Sequence, residues 1–155
     1  MNLAALETAL LNALRAHATL SYLRTLEPVS ERTFDSARGD FIVVPPAVLS
    51  FFLGSQLRAR DLAARTYDYN PRLLLFAVAR NLRGEAEEKR GGPAPAEVGA
   101  YTLLHDLKTA LAGARLELSN GSAPVVELAG ESLEAATPEY SVYSLEVLLR
   151  GSFHA

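Results

Sequence analysis

A chain of 155 residues with 49% hydrophobic content is long enough to build one core and too short for two. Its formal net charge of −3 lacks the clustered Lys and Arg on a basic background that duplex DNA or RNA binding requires, so direct nucleic-acid binding is not expected. The absence of cysteine excludes disulfides and thiolate metal sites, and fits a reducing compartment or a bacterial or viral origin.

The N-terminus, "MNLAALETALLNALRAH", has no basic leader before an apolar core, and no apolar run approaches the roughly 20 residues that span a bilayer. The expectation is a soluble protein made in the cytoplasm, without a membrane partner. On a helical wheel Leu3, Leu6, Leu10 and Leu14 share one face, which predicts an amphipathic helix from 3 to about 18. The phase then breaks, and "LSYLRTLEP" predicts a short strand over 21–27 that stops at Pro28.

Residues 29–40, "VSERTFDSARGD", read as a surface loop with room for a helical turn after Ser30. Pro45 and Pro46 each lack a backbone donor, so "FIVVPPAVLSFFLG" predicts an edge segment leading into a buried strand at 47–53, ended by Gly54. After a polar turn, Arg65 to Asn81 reads as one long extended segment, with a bulge or bend at Asn70 and Pro71. Its half from Leu73 to Ala79 is almost wholly apolar, which predicts cover on both faces: helices on one, a neighbouring subunit on the other.

A second helix is expected from about 97 to 112, with Ala100, Leu103, Leu104, Leu107, Ala110 and Leu111 on one side and Gly113 at its C′ position. A hairpin around Asn120 and Gly121 and a last strand at 141–149 complete the chain. The economical packing is an α+β fold, a mostly antiparallel sheet with both main helices on one face, as a single domain over 1–155. The Gly/Pro-rich stretch at about 84–96 has too little chain on either side to divide two cores, so it is a loop within that domain.

Motifs for chemistry are weak. "RGEAEEKRGG" carries neither the Gly and Lys spacing of a phosphate-binding loop nor that of a dinucleotide site, and its glutamates repel phosphate. Arg38-Gly39-Asp40 and Asn120-Gly121-Ser122 read as turns before they read as an adhesion tripeptide or a glycosylation sequon. His17, His105 and His154 lack metal-ligand spacing; His17 reads as a core or boundary residue and His105 as a surface one. Glu87 and Glu88 fall in a solvated loop, where burial cannot raise a carboxyl pKa. No nucleophile elbow occurs, so no catalytic residue, metal or cofactor is expected.

Charge is unevenly distributed: Lys and Arg against Asp and Glu give −1 over residues 1–55, +3 over 56–115 and −5 over 116–155. Opposite-signed parts of one small domain suit a head-to-tail contact between copies.

The first helix with "YLRTLEP", the "PPAVLSFF" strand, "FAVARNLRGEAEEKRGG", "GAYTLLHDLKTALAGARL" and "YSVYSLEVLL" resemble, in the same order, a family of Mu-like phage and prophage tail proteins of the tail-terminator (tail completion) type. The resemblance covers nearly the whole chain. It implies a structural, non-enzymatic role: a homo-oligomeric ring of six subunits that caps the head-proximal end of the tail tube, stops its polymerisation and presents a surface for head joining. The implied partners are further copies of the chain, the tail tube protein and the head–tail neck proteins. The implied location is the virion tail, reached by assembly in the host cytoplasm. A neck adaptor between head and tail is the alternative. On this reading Arg80, Arg83, Glu85, Glu87, Glu88, Lys89 and Arg90 make subunit or tail-tube contacts.

Overall fold

The structure, a computed structural model, describes residues 2–63, 65–81 and 98–154. Among these residues helix α1 spans Leu3–Ala16 and α2 spans Ala100–Leu111, and the strands are β1 Thr25–Pro28, β2 Phe34–Asp35, β3 Asp40–Phe41, β4 Ala47–Ala59, β5 Thr66–Arg80, β6 Val125–Ala136 and β7 Tyr140–His154. Five strands form one sheet in the order β1-β4-β5-β7-β6, and β2 pairs with β3 alone. Every neighbouring pair in the large sheet is antiparallel except β1 with β4. The α+β class and the mainly antiparallel sheet are as the sequence predicts.

Both helices form for the reason their periodicity implies. Asn2 caps α1 by accepting from the Ala4 amide at 2.9 Å, and Leu6, Leu10, Leu11 and Leu14 bury one face. In α2 Leu103, Leu104, Leu107 and Leu111 do the same, and Gly113 follows with φ +70°, the left-handed conformation that glycine adopts without a Cβ penalty. The two helices lie on one face of the sheet and share a core with Val48, Leu73, Leu75, Ala77, Val126, Leu145, Val147 and Leu149. Period-2 alternation selects these positions: the odd-numbered residues of β5 and β7 face the helices. Glu7 of α1 accepts from the Ser50 hydroxyl at 2.5 Å, a helix-to-strand link that its polar position on the wheel does not reveal.

The even-numbered face is covered at one end only. Residues 30–41 hold a turn at Ser30, whose carbonyl accepts from the Thr33 and Phe34 amides, and then the β2–β3 hairpin, which sequence reading leaves as plain loop. Phe41 from that hairpin packs on Phe76 with ring centroids 5.2 Å apart, and a small second core gathers Ala47, Val78 and Val142. On the second face of Leu73–Ala79, where a neighbouring subunit was expected, the chain's own hairpin supplies the cover at the Val78 end. Arg38-Gly39-Asp40 is the turn of this hairpin and Asn120-Gly121-Ser122 is another turn, with Gly39 at φ +69° and Gly121 at φ +79°.

Four expectations are corrected. The first strand is Thr25–Pro28 rather than 21–27, because α1 ends at His17, whose backbone is extended, and a separate 3-10 turn at Ala18–Leu20 follows before the chain straightens. The fourth strand does not end at Gly54; it runs on to Ala59, and the turn that follows it takes in residues 60–63. The bulge is at Leu53 in β4, where the register with β5 shifts between Phe52 and Gly54, not at Asn70 and Pro71, across which β5 holds its register with β7. Gly54 has φ +148°, a region almost closed to other residues, and this lets the strand absorb the extra residue and continue. The last strand runs from Tyr140 to His154, longer than the expected 141–149.

Candidate subunit interface

Strand β4 changes character at its midpoint. Ala47, Val48, Leu49 and Ser50 are buried, with β1 on one side of the strand and β5 on the other. Beyond Ser50 the chain of β1 leaves, since its last contact is the Val29 amide on the Ser50 carbonyl at 2.8 Å, and residues 51–59 pair only with β5. That half of β4 carries Phe51, Phe52, Leu53 and Leu57, which are 46%, 37%, 42% and 57% exposed. Four large apolar side chains along one open strand edge are unusual for a protein surface and mark a place that another surface covers.

The pairing register fixes where these side chains point. Phe52 stands opposite Leu73 and Leu57 opposite Tyr69, both on the helix side of the sheet; Phe51 stands opposite Leu74 on the other side. The helices do not extend to this end. In their place Tyr67, Tyr69 and Phe153 form an aromatic group, with Phe153 5.9 Å from Tyr67 and 6.5 Å from Tyr69.

The helix-free face is divided. Its aromatic half runs from Phe34 to Phe41 at 5.1 Å, on to Phe76, and from Phe76 to Phe51 at 6.4 Å. Its other half is ionic: Arg72 donates to Glu146 at 2.7 Å, Arg150 is paired with Glu127, and Arg60 with Asp68. These pairs stand at or near the surface, so they contribute little to stability and more to which surface can dock here.

At the opposite edge of the sheet, β6 pairs with β7 alone beyond Val126; only its start is flanked by residues 114–118, through the Arg115–Val125 bridge and the Leu116 amide on the Pro124 carbonyl at 3.0 Å. This edge is acidic, with Glu127, Glu131 and Glu134. Arg150 beside Glu127 holds that carboxyl below its usual range, and the Ser132 and Ser144 hydroxyls bonded to Glu134 do the same there, so both stay ionised well into the acid range. A carboxylate stabilised in this way is a poor proton acceptor, which argues against general-base chemistry at the Ser132, Ser144 and Glu134 cluster. Between α2 and β6 a groove of about 430 Å³ is lined by Tyr101, Leu104, Lys108, Glu131, Leu133 and Tyr143, and Leu133 is 56% exposed.

Arg80, expected from sequence as a contact residue, is exposed at the end of β5 opposite Tyr140. It lines a depression with Arg24, Phe41, Val43, Asn81 and Glu139, at the end of the sheet away from the exposed half of β4. Arg83, Glu85, Glu87, Glu88, Lys89 and Arg90 lie outside the described residues. Phe51, Phe52, Leu53 and Leu57 were not singled out by sequence reasoning, because an apolar run followed by glycine reads as a buried strand that has ended. Their signal was the polar "SQLRAR" directly after Gly54, which continues the strand past the core.

His17 caps the end of α1, its Nδ1 2.8 Å from the Thr19 hydroxyl, and His105 is exposed on α2, both as their sequence positions suggest. Among the described residues there is no cluster of three or more His, Asp or Glu able to hold a metal ion, and no helix is long and apolar enough to cross a membrane.

The sequence model of the family described as "Bacteriophage Mu, Gp37" matches residues 2–144. A search of curated protein sequences finds no match. Among solved structures, a chain of the "Virion of native gene transfer agent (GTA) particle" has a similar fold, with a TM-score of 0.61 at 16% identity, covering 97% of this chain and 96% of that one.

Proposed function

The chain belongs to the bacteriophage Mu Gp37 family, and from this we propose that it is a structural component of a phage or prophage tail, a terminator that closes the head-proximal end of the tail tube as a ring. The observation that carries the reading is the open, apolar half of β4, a surface suited to burial in an assembly and not to an isolated subunit. Likeness of fold to a chain from a virion particle supports the same reading. In this proposal copies of the chain close into a ring of six, the ring stops addition of further tube subunits, and its outer surface receives the neck. The charged stretch from Arg83 to Arg90, together with Arg80, is assigned the contact with the tube.

The test is electron microscopy of particles from a phage in which this gene is deleted, with and without the gene supplied in trans. Overlength tubes and tailless heads that return to normal on complementation support a terminator. Tails of normal length that fail to join heads would instead indicate the neck adaptor.

A further inference from the structure

Opposite edges of the sheet are both open, and they match. On β4 nine residues, 51–59, lack a partner on the outer side; on β6 ten residues, 127–136, do. The β4 edge has Arg58 and no acid, whereas β6 has Glu127, Glu131 and Glu134 and no base. The strand directions agree as well. From β4 across β5 and β7 to β6 each step is antiparallel, so β4 and β6 run in opposite senses. A neighbour related by rotation about an axis along the strands therefore presents its β4 antiparallel to β6.

We propose that the outer edge of β4 over residues 51–59 in one copy pairs antiparallel with the outer edge of β6 over residues 127–136 in the next, so that the sheet continues from subunit to subunit. The inference rests on the ring reading and supplies its interface. Strand addition satisfies backbone donors and acceptors along both edges, and it preserves the sides of the sheet. Phe52 and Leu57 then fall on the same side as Leu133 and the groove between α2 and β6, where Tyr101 and Leu104 receive apolar side chains. Arg58 meets an edge whose own charges are all acidic, Glu127 and Glu131 being shared with Arg150 and Lys108 and Glu134 having no cation paired with it among the described residues. The contact uses two different surfaces, so it is heterologous, and a heterologous contact closes into a ring or grows as a filament. The two bulges of β6, at Ala129 and Glu134, add the twist and curvature that a closed circuit of sheets needs.

The chain has no cysteine, so a single introduced thiol is unique. The full-length variants Gln56→Cys and Ala135→Cys, exposed edge positions outside the apolar contact, are mixed in equal amounts and treated with a short bis-maleimide. The expected result is a cross-linked dimer in the mixture and none from either variant alone, a ladder of products from the double variant, and loss of the mixed dimer when Arg58→Glu is added. Cross-linking of either single variant to itself overturns the proposal in favour of a two-fold contact. Absence of the mixed dimer in a sample that light scattering shows to be associated also overturns it, and the β6 bulges then act as edge protection. Neither result touches the terminator reading, which is decided by tail length in the deletion phage.

Discussion

Phe52 stands directly opposite Leu73 on the helix side of the sheet, yet Leu73 is fully buried and Phe52 is 37% exposed. The boundary of the helix layer falls between these two strands, and everything beyond it on β4 is supported from one side only. Replacing Phe52 or Leu57 with serine is therefore expected to leave circular dichroism and the melting temperature nearly unchanged while abolishing self-association. A variant that unfolds, or one that associates as well as the parent, contradicts that assignment.

Gly54 tests the backbone account of the same strand. A Cβ built there meets nothing within 4 Å, so packing alone would permit alanine. Its φ of +148° does not, and Gly54→Ala is expected to cost about 1–3 kcal/mol in chemical denaturation. A loss under a few tenths would mean that the bulge at Leu53 is not fixed by this residue.

The core makes the opposite prediction from the open edge. Leu107 has no exposed surface and belongs to the core that both helices share with the sheet, so Leu107→Ala should lose about 2–5 kcal/mol of stability. Equilibrium unfolding in urea, followed by both fluorescence and circular dichroism, measures it.

Tyr22 donates to Asp106 at 2.7 Å, and burial first, then that carboxylate, pushes its hydroxyl far above the ordinary tyrosine range. Because the folded-state pKa is raised, the stability it contributes is complete below about pH 10, the unfolded value, and declines as pH rises beyond that toward the folded value. In an alkaline titration followed by phenolate absorbance, Tyr22→Phe should remove a late-titrating tyrosine. It should also flatten the fall in stability above pH 10. Loss of an early-titrating one would refute the pairing.

Deleting residues 85–94 is expected to leave the fold intact and abolish capping of tails. A deletion variant that still terminates tails at normal length removes the charged stretch from the tube contact.

Much of this fold was legible before the structure. The leucine spacing of α1 and α2, the glycine after α2 and the apolar run of β5 each report a local preference that the packing agrees with, so the α+β class followed. What escaped depends on contacts far apart in sequence. The parallel pairing of β1 with β4 has no local signature, and the two-residue strands β2 and β3 are too short for a periodic pattern. Gly54 misled because glycine after an apolar run reads as a stop, whereas here it carries the strand through a bulge. The apolar edge was hidden for a related reason: hydrophobicity predicts burial, and Phe51 to Leu53 are only partly covered in the single chain. Arg80 was placed correctly at a strand end, but away from that edge.

The most direct test of the account is the molar mass of the purified chain by size-exclusion chromatography with light scattering over a wide concentration range. A mass that climbs from one subunit to a fixed multiple and goes no higher is the predicted result, since closure ends growth. A mass of one subunit at every concentration would contradict the claim that the open half of β4 is covered by another copy.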